Sequence, residues 1–174
     1  MPKPAKPRER EVQAAQEPVR FGPLANYIGF HLRRAQTASF QAVAHRIGQA
    51  DFTPGLYALL TLIEQNPGIT QTALSRADGR DKSSLTPALS GLQKRGLIRR
   101  ERIAGDKRSY ALHLTPAGSA AAAALHRHAQ AHDDELDRII GLEHKAQFIR
   151  QLRRIVSALS ADTGEDGPDG EAQP

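Results

Sequence analysis

The sequence predicts a mainly helical chain with one small β-hairpin set into it, and three observations predict this. Apolar residues recur at helical spacing in successive stretches between Leu24 and Leu159. One segment, Leu97 to Leu114, alternates with period two instead. Start and stop residues punctuate these stretches at Thr53-Pro54, Asn66-Pro67-Gly68, Asp78-Gly79-Arg80, Lys94-Arg95-Gly96 and Thr115-Pro116.

The first helix is expected from Pro23 to about Gly48, with Leu24, Tyr27, Ile28, His31, Leu32 and Ala35 at helical spacing. Thr53 and Pro54 open the second, since Thr caps free N–H groups and Pro is already set at the first helical φ. Leu56, Leu59, Leu60 and Ile63 form its buried stripe. Thr70 caps a short third helix with Ala73, Leu74 and Ala77 facing inward, and Gly79 makes the turn that follows. Asp81 caps the fourth, whose inner face is Leu85, Ala88, Leu89 and Leu92. Two short helices at this separation suggest a helix-turn-helix. Leu97-Ile98 then leads into a hairpin with an AGDKRS turn and a return strand marked by Tyr110, Leu112 and Leu114. Thr115-Pro116 opens an alanine-rich helix reaching about Ile140, which Gly141 breaks. The last helix presents Phe148, Ile149, Leu152, Ile155, Val156 and Leu159 on a broad apolar face that suits packing against another long helix.

Composition narrows the class. With 39% hydrophobic and 25% charged residues the chain is in the globular range, and no run reaches the length of a membrane span or resembles a secretory signal, so a cytoplasmic location is expected. The absence of cysteine excludes disulfides and thiol-based redox sensing. The net charge of +5 is unevenly spread. Residues 1–20 read as a disordered basic arm rich in proline, and residues 161–174 as a disordered acidic tail without a base. Between Arg76 and Arg108 stand ten Lys or Arg against four acids, the footprint of a polyanion contact. No nucleophile–base pair, paired-carboxylate site or phosphate-cradling glycine loop is present, so an enzyme is not expected.

On the fourth helix, an apolar inner face puts Lys82, Ser83, Thr86, Pro87 and Ser90 outside, small and basic enough for close approach to a major groove. Pro87 bends this helix slightly, or the helix starts nearer to Pro87. At the hairpin, Asp106, Lys107 and Arg108 sit where a wing would reach an adjacent minor groove. Arg108 is the probe there and Asp106 orients it, or a neighbouring arginine, as a paired carboxylate. An ordinary solvated helix and a charged turn are the plainer alternatives.

The stretch QTALSRADGRDKSSLTPALSGLQKRGLIRRERIAGDKRSYALHLTPAG resembles the DNA-binding core of the MarR family of bacterial regulators. The DKSSLT helix start (with Ser84), the LQKRGLI exit, the Asp106-x-Arg108 wing and the LTPAG entry occur in order. The resemblance implies a winged helix-turn-helix domain at residues 51–115. It also implies dimerisation helices at 21–50 and 116–160, a palindromic double-stranded DNA operator, and a homodimer with a small-molecule pocket. Cysteine-based oxidant sensing, common in that family, is excluded here. Tyr27, His31 and Arg34, at i, i+4 and i+7 of the first helix, would suit an aromatic acid or its CoA thioester as effector, the alternative being a dimer interface. His128 and His132, with His126 and Asp133 nearby, form too weak a ligand set for a metal and read as solvent-facing; no metal or cofactor is expected. The competing function is a constitutive, weakly specific architectural DNA-binding protein, which needs no pocket.

Overall fold

A computed structural model describes residues 19–47, 54–103 and 106–162, which fall into two units, Met1–Thr37 and Ala38–Pro174. Most of the predicted arm and tail lies outside the described residues.

In the first unit a 3-10 turn, Gly22–Asn26, precedes helix α1 (Ile28–Ile47), whose later half belongs to the second unit. The helix therefore begins later than the expected Pro23. Tyr27 is extended (φ −92°, ψ 117°), and its carbonyl receives the first bonds, from the N–H groups of Phe30 and His31. His31 Nε2 lies 2.7 Å from the Ala25 carbonyl, engaging an oxygen that a continuous helix would have paired internally.

The second unit continues with α2 (Pro54–Gln65), β1 (Ile69–Thr70), α3 (Gln71–Asp78), α4 (Lys82–Lys94), β2 (Ile98–Ile103), β3 (Asp106–Leu114), α5 (Pro116–Ile140) and α6 (Leu142–Asp162). Among the described residues no helix is long and apolar enough to cross a membrane. The core gathers the expected Leu56, Leu59, Leu60 and Ile63 of α2, Leu74 of α3, and Leu85, Leu89 and Leu92 of α4. Ile98 and Leu112 of the sheet and Ala122 and Leu125 of α5 complete it. Each fully buried leucine contributes about 1.5–3 kcal/mol relative to exposure, so these side chains outweigh any surface pairing in fixing how the helices are rotated.

Four local expectations are corrected. Ala73 and Ala77 are exposed: α3 is only two turns long, and its inward stripe is Leu74 with Asp78, one turn apart. The hairpin is part of a three-stranded antiparallel sheet in the order β1-β3-β2. Its extra strand is two residues long, too short to alternate visibly, and is placed by Gly68 N–H donating to the Leu112 carbonyl at 2.9 Å. A register shift at Arg102/Ile103 brings Ile103 opposite Asp106, so Asp106, Lys107 and Arg108 belong to β3 rather than to a six-residue turn. Pro87 lies inside α4, which starts at Lys82, so the later helix start is excluded.

The apolar face of α6 forms as expected, and within the single chain Phe148, Ile149, Val156 and Leu159 remain exposed. Where α5 begins, Thr115 Oγ1 accepts from Gly118 N–H and donates to the Gly96 carbonyl at 2.6 Å, tying helix to hairpin. A Cβ at Gly118 would collide with the Leu97 carbonyl oxygen, with the carbonyl carbon 3.0 Å away. Gly118→Ala is therefore expected to lower stability by about 1–3 kcal/mol, read as a drop in thermal midpoint; an unchanged midpoint would show that the junction yields freely.

Candidate nucleic-acid interface and effector cavity

α4 is positioned by its buried leucines and oriented by its cap. Asp81 stands at the N-cap with its carboxylate accepting from Ser84 N–H (2.8 Å), Ser83 Oγ (2.5 Å) and Ser84 Oγ (2.9 Å). The Ser83 hydroxyl above all, then the Ser84 amide and hydroxyl, hold the Asp81 carboxyl down at about 2. Lys82, Ser83, Ser84, Thr86 and Pro87 are exposed and Ser90 is half-buried, so the face expected from the sequence is the outward one. The structure adds what those groups already do. Both serine hydroxyls donate to Asp81, and Thr86 Oγ1 donates to the Lys82 carbonyl (2.7 Å) while accepting from Gln71 Nε2 (2.8 Å). Ser83 and Ser84 thus offer mainly lone pairs, and Gln71 of α3 joins the surface. Sequence reasoning missed Gln71 because it lies fifteen residues before its partner.

Beside Lys82 opens a polar cleft of about 170 Å³ between the starts of α3 and α4 and the sheet, lined by Thr70, Gln71, Thr72, Lys82, Arg100, Ser109, Tyr110 and Leu112. Arg100 Nε and Nη2 are buried there with no hydrogen-bond partner. Its neighbour on β2 is engaged: Glu101 pairs with Arg99 and with His113 Nε2 at 3.3 Å. Arg100 was one of several arginines in RRERI with nothing to single it out by sequence. The side chains of Asp106, Lys107 and Arg108 lie outside the described residues.

A second cavity, of about 110 Å³, lies between α1, α2 and α5 and is lined by Val43, Pro54, Tyr57, Leu125, His128, Ala129, His132 and Asp133. The reading of the α5 histidines as solvent-facing is corrected for His132, whereas His126 and His128 are exposed. His132 Nε2 bonds Ser39 Oγ at 2.7 Å while its buried Nδ1 lies 3.9 Å from Glu135 Oε2, and His126 Nδ1 bonds the Tyr57 hydroxyl at 2.8 Å. A long-range partner on α1 draws the His132 ring in, which helix periodicity alone does not reveal. Asp133 is neutralised from α6, Lys145 Nζ lying 2.7 Å from it and 2.8 Å from Asp137. In the first unit the expected stripe is already engaged locally. His31 bonds Ala25, the Arg34 guanidinium lies 5.1 Å over Phe21 and 5.6 Å over Phe30, and Tyr27 is exposed.

A recognition-type helix set by a preceding short helix and flanked by a three-stranded hairpin sheet defines a winged helix-turn-helix DNA-binding protein. The MarR family model matches residues 52–110. The chain is 36% identical over 135 residues, 77% of its own length and 81% of the relative's, to the "Putative transcriptional regulatory protein for hcr operon" of Thauera aromatica. Among solved structures it resembles the transcriptional repressor CouR bound to a 23-mer DNA duplex (TM-score 0.71, 30% identity, 80% of this chain and 99% of that one). CouR has also been solved bound to p-coumaroyl-CoA. The PcaV regulator of Streptomyces coelicolor, in complex with its natural ligand, is similar as well (TM-score 0.72, 26% identity, 78% and 96% of the two chains). The chain belongs to the MarR family of transcriptional regulators.

The Asp81 cap has a pH signature. Because its carboxyl titrates at about 2 in the folded chain, below the ordinary 3.8, its stabilisation is fully present above about 3.8 and disappears as pH falls through about 2. Asp81→Asn keeps an acceptor but no charge, so the stability difference between it and the parent should be constant from pH 7 to 5 and shrink towards pH 2. Denaturant titrations at each pH test this; a difference that does not change with pH would show that the charge contributes nothing.

Proposed function

We propose that this regulator is a homodimer that binds a palindromic operator and is released from it by a small aromatic effector. The observation behind the DNA reading is the conjunction on one surface of the exposed Lys82–Pro87 face of α4 with the polar cleft that Lys82 and Arg100 line together. In this reading α4 enters the major groove, and the charges of Lys82 and Arg100, which line the cleft together, attract a backbone phosphate to it. Arg108, oriented by Asp106, probes the adjacent minor groove from β3. Homodimerisation is supported by the exposed Phe148, Ile149, Val156 and Leu159 of α6, a line of apolar side chains that a second copy would cover. The DNA-bound CouR structure supports the assignment by similarity.

Selection from random duplexes is expected to enrich a palindrome whose affinity falls with salt at about −0.9 log units per log unit for each phosphate neutralised. Arg108→Ala is expected to cost about 1–3 kcal/mol of binding to the enriched site, and Arg100→Met should weaken binding and flatten the salt slope by about one phosphate. Equal affinity for random and enriched duplexes would favour the architectural reading instead.

For the effector, the α1–α2–α5 cavity is the stronger site. It is mostly apolar, it is near the size of an engineered cavity of about 150 Å³ that holds benzene, and His132, held by Ser39, lines it. His31 and Arg34, by contrast, already have partners. Benzoate, p-coumarate and p-coumaroyl-CoA are the probes to titrate against the operator complex. His132→Ala should weaken the release they cause while Arg34→Ala leaves it intact; the reverse pattern would move the site to the Tyr27–His31–Arg34 stripe.

A further inference from the structure

Only Gly79, Arg80 and Asp81 separate α3 from α4, and the Arg80 side chain, 31% exposed, folds back from this turn towards α2. Its guanidinium lies across the first turn of α2. Arg80 Nη2 occupies the space a Cβ on buried Gly55 would take, with Cζ 3.1 Å from that point. Arg80 Nε pairs at 2.9 Å with Asp78 Oδ2, whose side chain is only 5% exposed, and the Arg80 carbonyl accepts from Ser75 Oγ at 2.6 Å. Arg80 is thus clamped to α2 and α3 at once. Its neighbours in sequence extend the chain of contact in both directions: Asp81 caps α4, and Pro54, next to Gly55, lines the α1–α2–α5 cavity with Tyr57.

We propose that Arg80 is the positioning residue through which occupancy of that cavity resets α4. This rests on reading the cavity as the effector site. A ligand that displaces Pro54 displaces Gly55 with it, and the guanidinium packed on the glycine backbone, held at Nε by Asp78, is pushed by the shift. The movement passes to the Asp78 pair and to the Arg80 backbone, hence to the residue that caps the DNA-facing helix. Burial raises the Asp78 carboxyl and the Arg80 charge opposes that rise, so removing Arg80 alone would leave a buried carboxylate uncompensated. A longer side chain at residue 55 would exclude the guanidinium, whereas a merely structural ion pair has no need of contact with α2.

The test separates coupling from affinity. Ala129→Phe places a ring in the cavity without any added ligand, and operator affinity is measured by fluorescence anisotropy with and without it in two backgrounds. These are the parent chain and Asp78→Asn/Arg80→Met, which removes both members of the pair so that no buried carboxylate is left alone. Expected is a loss of about tenfold in operator affinity on filling the cavity of the parent, and less than about twofold in the second background. Thermal unfolding should show all four proteins cooperatively folded. Gly55→Ala, which expels the guanidinium from the α2 side and keeps Asp78 and Arg80, should abolish the coupling in the same way and decides the matter if the double variant does not fold. Equal losses in parent, double variant and Gly55→Ala would overturn the role of Arg80 while leaving the effector site standing. No loss in the parent, together with no release by p-coumaroyl-CoA, would overturn the cavity reading and this proposal with it.

Discussion

Burial of Leu85, Leu89 and Leu92 is the constraint on which the rest depends. Three leucines on one stripe of a thirteen-residue helix leave a single rotation about its axis in which all of them reach the core shared with α2 and the sheet. That rotation turns Lys82, Ser83, Ser84, Thr86 and Pro87 outward. The outward surface proposed to meet DNA is in this sense the remainder of a hydrophobic requirement: side chains that contribute little to folding are the ones free to be chosen for recognition.

The polar groups around the helix are more committed than a face diagram suggests. Asp81 gathers the protons of Ser83 and Ser84, and Thr86 is bracketed by the Lys82 carbonyl and Gln71. Such local bonding restricts the rotamers, which would lower the entropy lost on binding a duplex as proposed. It also shifts the balance of the face towards acceptors and cations, with Lys82 and Arg100 supplying donors that phosphate oxygens match. The same economy holds around the α1–α2–α5 cavity. Lys145 neutralises Asp133 from α6 and Ser39 fixes His132 from α1, so residues of α1 and α6 set the polarity of a cavity beside α2.

Pro87 illustrates how context decides the cost of a residue. Within a helix it removes one backbone bond and crowds the preceding turn. In α4 it follows a first turn already held by the Asp81 carboxylate, with Thr86 Oγ1 bonding the Lys82 carbonyl just upstream. The cap and the three leucines keep the helix continuous through the proline, so the alternative start near Pro87 does not arise.

Helix order, the caps at Thr70, Asp81 and Thr115, the turn at Gly79 and the leucine stripes of α2 and α4 were all legible in the sequence, because each depends on residues within about four positions of one another. The outward face of α4 followed from the same periodicity. Tertiary structure alone decided what depends on distant partners. The two-residue strand β1 exists only because β3 lies beside it, and α3 buries Asp78 rather than Ala73 and Ala77 because Arg80 and Gly55 meet there. Arg100 differs from its neighbours in RRERI only by where the sheet places it. His132 differs from His128 because Ser39, ninety-three residues earlier, comes within hydrogen-bonding distance. Local chemistry writes the elements, and burial, which sums contributions from the whole chain, chooses which of their polar groups are left to act.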